Sequence, residues 1–304
     1  MGVSTRYVLH QGPVLGALGR AAMAAVKSRK KTSGGSAPTQ IPGRELRERI
    51  PPRPADLVHD YIRNVGGDPS AYRNQVPAHL FPQWVFPLQA RGLEDVNYPL
   101  QKVLNGGCRI EFNAPLALNE ALNVSCRLEG IDDDGKRAII HQRAVTGTAA
   151  QPEAVVTHVY AFVPLSSKKD EKPAGGAPKK KAPPPRVPED AREIAFWNIP
   201  VSAGLDFAKL TGDFNPIHWI PPAARAAGFK NVILHGFATL ARAIEGMNRA
   251  LFAGDPSRLA TIDVRFTRPL VLPAKVGLYV RGDEISVGSA KGGPANLVGT
   301  FTTR

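Results

Sequence analysis

Two stretches of this 304-residue chain repeat each other without a gap. Residues 109–127 align with residues 263–281 at a constant offset of 154, and seven positions carry the same or a similar side chain. The seven pairs are Phe112 with Phe266, Pro115 with Pro269, Leu116 with Leu270, Leu118 with Leu272, Leu122 with Val276, Val124 with Leu278 and Arg127 with Arg281. A proline at the same turn favours duplication over a chance likeness between two hairpins. We therefore expect two folded units of the same kind.

A stretch rich in proline and lysine separates the two copies. Residues Ser166–Pro188 contain six prolines and seven basic residues without apolar periodicity, which is typical of a solvated linker. The sequence therefore divides into a basic N-terminal extension at 1–44, a first repeat at 45–165, a linker at 166–190 and a second repeat at 191–304.

The formal net charge of +13 lies almost entirely outside the two repeats. Residues 1–44 carry +7 and residues 166–188 carry +5, so the remainder of the chain is close to neutral. A folded body without a basic surface is a poor partner for a phosphate backbone. We therefore expect no nucleic-acid binding.

The compartment follows from two further features of the composition. No stretch reaches the ~18 uncharged apolar residues that a membrane-spanning helix needs. Cys108 and Cys126 are the only cysteines, too few for a disulfide framework or for zinc-binding CxxC pairs, and this favours a reducing compartment. We expect a cytoplasmic protein that binds no metal. A homodimer is one assembly that such a protein can form.

The N-terminal extension has a weak pattern of its own. Residues Val14–Val26 form a short alanine-rich amphipathic stretch, and the absence of acidic residues resembles a transit peptide. No cleavage signal accompanies it, so we favour a frayed or surface-docked extension. Contact with a membrane is at most peripheral, through residues 1–31.

Each copy is predicted to place a helix before its strands. In the second copy, Ser202 is a candidate N-cap for a helix ending near Leu210, and apolar residues at 3.6-residue spacing predict a longer helix from His235 to Phe252. Strand-like runs follow at 259–267, 275–285 and 296–302. One long helix with several long antiparallel strands indicates an α+β unit, a sheet wrapped around a helix. The second copy is expected to be one strand shorter than the first.

The residues most indicative of chemistry lie between Phe207 and His218. Asp213, Asn215 and His218 fall within six residues, on a loop that Gly212 and Pro216 exclude from a helix. A carboxylate and an imidazole on one turn can share acid–base work, and the Asn215 amide can fix their orientation. The same residues also fit a plain turn with a packed histidine.

A second motif precedes the long predicted helix. Gly236 follows His235 at the helix start, where backbone N–H groups have no intrahelical acceptor and the helix dipole is positive. Such a group can donate to a carbonyl that becomes an enolate, and a glycine permits close approach. For His235 itself we favour a packing or capping role.

The run Leu210-Thr-Gly-Asp-Phe-Asn-Pro-Ile-His218, followed by His235-Gly236, resembles the hydratase motif of the MaoC-like dehydratases, the (R)-specific enoyl-CoA hydratases of hotdog fold. The resemblance covers most of 191–304 and implies a double hotdog whose first repeat is degenerate. It also implies that Asp213 and His218 are the catalytic dyad, with Asn215 supporting them, and that the Gly236 N–H binds the thioester oxygen. The implied reaction adds water to a trans-2-enoyl thioester or removes it from a (3R)-hydroxyacyl thioester, without a bound cofactor.

The first copy lacks this constellation. Aligning Asp68 with Asp213 puts Ser70 in place of Asn215 and Arg73 in place of His218, so one active site per chain is expected. Three alternatives to an acyl-CoA hydratase remain. The acyl chain can be carried by acyl carrier protein, whose acidity the basic segments would attract. The protein can bind acyl thioesters without catalysis. The least favoured alternative, because the folded repeats are close to neutral, is nucleic-acid binding by the basic tails, which predicts a steep dependence on salt.

Overall fold

The computed structural model of the chain describes residues 2–17, 19–20, 39–100, 103–165 and 183–304. The first repeat contains strands β1 (Leu46–Ile50), β2 (Gln75–Val76), β3 (Leu104–Phe112), β4 (Leu116–Ala117), β5 (Leu122–Asp133), β6 (Arg137–Gly147) and β7 (Val155–Pro164). Its helices are α1 (Ala55–Asn64), α2 (Pro69–Tyr72) and α3 (Pro82–Arg91).

The second repeat follows the same order of elements. Its helices are α4 (Ala203–Thr211), α5 (Pro221–Ala226) and α6 (Gly236–Leu251). Its strands are β8 (Arg192–Ile199), β9 (Ile233–Leu234), β10 (Leu259–Phe266), β11 (Leu270–Val271), β12 (Ala274–Arg281), β13 (Glu284–Gly288) and β14 (Ala295–Thr303).

The two repeats join edge to edge in one sheet. Among the described residues, ten strands form an antiparallel sheet in the order β1-β5-β6-β7-β3-β10-β14-β13-β12-β8. The central pair is β3 with β10, where Ile110 lies opposite Ile262. Read outward from the central pair, the first repeat has the order β3-β7-β6-β5-β1 and the second has the equivalent order β10-β14-β13-β12-β8, as the 154-residue offset predicts. The double hotdog architecture is therefore confirmed in its strand topology.

Helix α6 packs its apolar face against the sheet. Of the apolar positions whose spacing predicted this helix, Leu240, Ala241, Ile244 and Met247 are buried, and Phe237 and Leu251 are partly buried. Burying a Leu, Ile or Met side chain contributes roughly 1.5–3 kcal/mol, so this face holds the second repeat together. The helix observed, Gly236–Leu251, lies one residue inside each end of the predicted one.

Two expectations for the second repeat are wrong. The run 275–285 is not one strand but parts of two, β12 and β13, which a tight turn at Gly282 and Asp283 joins. The repeat is therefore not a strand short, because β14 occupies the position that β7 has in the first repeat. Ser202 does stand at the N-cap of α4, but its backbone is already helical and its hydroxyl makes no capping bond.

The C-terminal end of the expected linker belongs to the second repeat. Residues 166–182 lie outside the described part of the chain. Val187, however, is buried with Ala191, Tyr279 and Ala295, and its N–H donates to the Gly293 carbonyl at 2.9 Å. The expectation that the whole of 166–190 is solvated is therefore wrong for this end, since Val187 supplies an apolar side chain to the cluster.

The described part of the N-terminal extension is docked on the folded body. A 3-10 helix spans Thr5–Gln11, and residues 12–17 continue as a helix. Tyr7, Gln11, Val14 and Ala17 are buried, which agrees with a docked extension rather than a frayed one. Most of the stretch Val14–Val26 lies outside the described residues.

No helix in the described ranges is long and apolar enough to cross a membrane. Both cysteines are buried free thiols. Burial raises the pKa of Cys126 to about 12, so this thiol stays protonated and unreactive at neutral pH.

Candidate active site

The loop that carries Asp213 and His218 begins where helix α4 ends. Gly212 terminates the helix in the left-handed conformation, with φ of +85°, and its N–H donates to the Ala208 carbonyl at 2.7 Å. Glycine suits this conformation because it has no Cβ to clash with the backbone. The chain then turns through Asp213 into a short 3-10 helix, Pro216–His218. The turn thus delivers the aspartate and the histidine to the same place.

Asn215 holds this turn in shape. Its side-chain oxygen accepts from the Ile217 N–H at 3.4 Å, and Asp213 Oδ1 accepts from the Asn215 N–H at 3.3 Å. Asn215 is the N-cap of the 3-10 helix, with Pro216 at its first position. The supporting role predicted for Asn215 therefore corresponds to a cap, which orients both neighbours.

His218 is held in a defined tautomer. Its Nδ1 lies 2.8 Å from the Ile233 carbonyl, which can only accept, so Nδ1 carries the proton and Nε2 is left as the acceptor. Burial lowers the pKa of His218 below 6.5, and the Asp213 charge opposes this shift. The imidazole is therefore neutral at working pH, with an Nε2 that makes no hydrogen bond to the described residues.

Asp213, His218 and His235 form one cluster. A side-chain oxygen or nitrogen of each lies within 4.8 Å of those of the other two. The His218 and His235 rings stack with centroids 3.6 Å apart. The Asp213 side chain is 35% exposed, which leaves room for a water molecule beside it. The structure therefore brings together the two residues predicted to be the dyad.

His235 was predicted to have a packing or capping role; its side chain is buried, and it stands at the N-cap of α6 without making a side-chain capping bond. Its Nε2 donates to the Asp213 carbonyl at 2.9 Å, which ties the loop to the start of α6. Burial is the main cause that lowers the pKa of His235 to about 3, and the neighbouring His218 adds to it. His235 is thus a neutral donor that fixes the backbone of Asp213. The sequence contained the signal for this, a histidine directly before Gly236.

Three such residues can in principle hold a metal ion, but their nitrogens are partly committed. The His218 Nδ1 and the His235 Nε2 both donate to backbone carbonyls. The remaining His235 Nδ1 is buried without a partner. The arrangement suits proton transfer at His218 Nε2 better than metal ligation, which needs several converging lone pairs.

Gly236 is the first residue of α6, so its N–H has no intrahelical acceptor. A Cβ at this position would lie 3.0 Å from two carbons of the Phe266 ring. The glycine is therefore explained by the close packing of Phe266, not by ligand approach alone. Its N–H remains the candidate donor to a thioester oxygen.

The first repeat places different residues in the equivalent turn. Helix α1 ends at Asn64 as α4 ends at Thr211, and Asp68 caps a helix that begins with proline, as Asn215 does. Asp68 therefore corresponds to Asn215, and the alignment of Asp68 with Asp213 is wrong by two residues. This shift puts Gly66 in place of Asp213 and Ala71 in place of His218, so both members of the pair are absent there.

Comparison with known proteins agrees with the fold and with this site. Residues 188–291 match the family described as "MaoC like domain". The described turn, its cap and the start of α6 all lie inside that range. The second repeat is thus a MaoC-like domain, and the resemblance to the MaoC-like dehydratases is confirmed.

Particular relatives cover more of the chain. The chain is 28% identical over 244 residues to 3-hydroxyacyl-thioester dehydratase X of Mycobacterium tuberculosis, an alignment that covers 79% of this chain and 81% of that protein. It is 30% identical to the peroxisomal enoyl-CoA hydratase 2 of Arabidopsis thaliana over 57% of this chain, and it spans only 58% of that protein.

Solved structures extend the likeness to both repeats. The crystal structure of HtdX from Mycobacterium tuberculosis superposes with a TM-score of 0.66 at 25% identity, over 85% of this chain and 98% of that one. A second Mycobacterium tuberculosis protein, which has a double hotdog fold, matches with a TM-score of 0.56 at 14% identity, over 87% of this chain and 96% of that one. The double hotdog fold is therefore confirmed.

Proposed function

We propose that the protein is a hydro-lyase that interconverts (3R)-hydroxyacyl thioesters and trans-2-enoyl thioesters, with acyl-CoA as the substrate. The observation that carries the proposal is the pairing of a half-exposed Asp213 carboxylate with a neutral His218 whose Nε2 is free to accept. Relatives named enoyl-CoA hydratase 2 and 3-hydroxyacyl-thioester dehydratase support the reaction class.

The reaction needs one water and two proton transfers. In the hydration direction, His218 Nε2 accepts a proton as the water oxygen bonds to C3 of the enoyl group, while Asp213 accepts a hydrogen bond from the same water. The Gly236 N–H stabilises the negative charge that develops on the thioester oxygen. The proton then passes to C2, so the hydroxyl and the hydrogen both come from one water and the enzyme returns to its starting state.

The environment of His218 fits this role. Because its Nδ1 proton is fixed on the Ile233 carbonyl, the ring cannot present its other tautomer to the water. The Asp213 charge raises the pKa of His218 against the effect of burial, and it stabilises the imidazolium that forms transiently. No bound cofactor is needed, since the thioester itself acidifies the proton at C2.

The decisive test is an assay of the hydration of crotonyl-CoA and of a long-chain enoyl-CoA, in which the loss of the enoyl absorbance measures the rate. We expect Asp213→Asn to lower kcat by about 10²–10⁴-fold, the usual range for general acid–base catalysis, because the carboxylate holds the water for His218 and the two act as one unit. Asp68→Asn makes the same carboxylate-to-amide change in the turn of the first repeat, away from the candidate pair, and should leave kcat within about twofold. Full activity of Asp213→Asn would overturn the proposal. Coupling to an (R)- or (S)-specific dehydrogenase identifies the product.

The carrier and the setting are part of the same proposal. Acyl-CoA and acyl carrier protein thioesters are compared at moderate salt, and faster turnover of the CoA ester is expected.

Two buried free thiols suit the reducing cytoplasm. A homodimer stays a prediction, which light scattering of the purified protein tests.

A further inference from the structure

The N-terminal segment, residues 2–17, connects the two repeats at the base of the catalytic loop. Tyr7 donates to Asp60 on α1 at 2.6 Å, in the first repeat. Val3 N–H donates to Asp206 at 3.1 Å, and Lys209 donates back to the Val3 carbonyl at 2.8 Å, both on α4 of the second repeat. The segment is thus bonded to the helix that ends at the catalytic loop.

Gln11 reaches the end of that helix. Its Nε2 donates to the Lys209 and Leu210 carbonyls, each at 3.1 Å, and the side chain is fully buried. The last carbonyls of a helix have no intrahelical donor, so a buried helix end needs partners from elsewhere. Gln11 supplies them two residues before the loop turns at Gly212.

Val14 closes the contact from the other side. A Cβ on Gly212 would lie 2.7 Å from Val14 Cβ and 3.1 Å from Gln11 Oε1. The segment therefore packs directly against Gly212, the residue in the left-handed conformation that precedes Asp213. Any movement of Gln11 or Val14 changes the space that Gly212 occupies.

The first repeat ends its helix without such help. There the Ile62 carbonyl accepts from the Gly67 N–H at 2.8 Å and the Arg63 carbonyl from the Gly66 N–H at 3.1 Å. In this repeat, where no candidate catalytic residue follows, backbone N–H groups just after the helix donate to its last carbonyls. In the second repeat the corresponding backbone is stretched into the catalytic turn, and a side chain from a distant segment takes over the capping.

We propose that Gln11 is a positioning residue for the reaction, which acts through Asp213 and is assisted by Val14. The inference rests on the proposed function, because it needs Asp213 to be the group that works. The N-terminal segment then helps to build the active site, although its nearest hydrogen bond ends at Leu210, three residues before Asp213.

The test compares Gln11→Met with Tyr7→Phe. Gln11→Met keeps the volume and removes both donors. Tyr7→Phe is the control, since it removes the part-buried hydrogen bonds that the same segment makes to Asp60 and Asp56 on the first-repeat side. We expect Gln11→Met to lower kcat by roughly 10–100-fold with KM changed less than about threefold, because small misplacements of a catalytic group are costly. Tyr7→Phe should keep kcat within about twofold. Val14→Ala should act as Gln11→Met does, more weakly.

A double variant separates positioning from general loss of structure. If Gln11 acts through Asp213, adding Gln11→Met to Asp213→Asn should lower kcat no further, since the carboxylate it positions is already gone. A further tenfold fall in the double variant would contradict the inference. So would unchanged kcat in Gln11→Met when Asp213→Asn is impaired, and that outcome leaves the proposed function intact.

Hydrogen exchange provides a readout that needs no activity. Amides of Gly212 to Phe214 should exchange faster in Gln11→Met than in the wild type, and at the wild-type rate in Tyr7→Phe. Unchanged exchange in Gln11→Met would overturn the inference even if the reaction proved to be a different one. A wild type inactive on every enoyl thioester would instead overturn the proposed function.

Discussion

The two repeats use the same turn for opposite purposes. In the second repeat, His218 Nε2 has no hydrogen-bond partner among the described residues and the Asp213 carboxylate is partly exposed. In the first repeat, the corresponding region is closed by a buried network. Tyr72 donates to Glu245 at 2.6 Å, and His79 Nε2 lies 2.9 Å from the same oxygen. A catalytic site needs polar groups with spare capacity, whereas a structural site is stable when its groups satisfy each other.

This buried network also explains how the degenerate repeat contributes. Glu245 lies on α6 of the second repeat, while Tyr72 and His79 belong to the first. Tyr61 donates to the His79 backbone carbonyl at 2.9 Å and lies 3.0 Å from its Nδ1. The buried network of Tyr72, His79 and Glu245 thus bonds the two repeats to each other.

The largest expected difference between the repeats is in turnover. His218→Ala should lower kcat by about 10²–10⁴-fold, because the acceptor for the water proton is lost. In the double variant with Asp213→Asn, kcat should fall little further, since the two residues act as one unit. In the first repeat, Arg73→Ala should change kcat less than about twofold. If His218→Ala retains more than about a tenth of wild-type kcat, the pairing of catalytic groups is wrong.

The next largest effect is on stability and belongs to the first repeat's network. Glu245→Ala leaves Tyr72 and His79 buried without the carboxylate oxygen that both contact. Because each buried polar group without a partner costs about 1–3 kcal/mol, we expect the free energy of unfolding to fall by about 2–6 kcal/mol. Urea denaturation measures it. Glu284→Ala breaks an exposed pair with Arg281 and should cost at most about 1 kcal/mol. Equal losses in the two variants would mean that the network does not bond the repeats.

A third difference is in the response to acid. Burial lowers the pKa of His235 to about 3 in the folded protein, against 6.5 for an ordinary histidine. Below pH 6.5 the unfolded chain therefore binds a proton at this residue that the folded chain does not bind. Above pH 6.5 the group has no effect, and below it stability falls by about 1.4 kcal/mol per pH unit until about pH 3. At pH 4 the loss is roughly 3 kcal/mol.

His235→Gln should remove that part of the loss, because the amide can still donate to the Asp213 carbonyl and does not titrate. The measurement is the free energy of unfolding at pH 7 and pH 4 in both proteins. In the first repeat, Pro77 follows β2 as His235 follows β9, so no comparable sensitivity is expected there. An identical fall in the two proteins would show that His235 is not the titrating group.

The smallest effect compares the two caps. Asp68→Ala and Asn215→Ala each remove a side-chain acceptor from the start of a short helix, and each should cost about 1 kcal/mol of stability. Only Asn215→Ala should also lower kcat, by roughly tenfold, because its helix carries His218. Thermal unfolding and crotonyl-CoA hydration distinguish the two. A similar loss of kcat in both variants would remove the functional difference between the turns.

Much of this could be predicted from local patterns. The offset of 154 located two equivalent units, and apolar spacing located α6 to within one residue at each end. The cluster of Asp213, Asn215 and His218 was visible because all three lie in one turn. The boundary between β12 and β13 was missed although the sequence signals it: Arg281-Gly282-Asp283-Glu284 is a polar, glycine-containing stretch typical of a tight turn.

The sequence by itself determined the duplicated architecture and the side chains of the candidate catalytic turn, since both depend on residues close together in the chain. The tertiary structure alone decided the tautomer of His218, the neutral state of His235 and the pairing of His79 with Glu245. It also brought Gln11 to the end of α4, 198 residues away along the chain from Lys209. Such contacts depend on burial and on partners from distant segments, which no local pattern of side chains records.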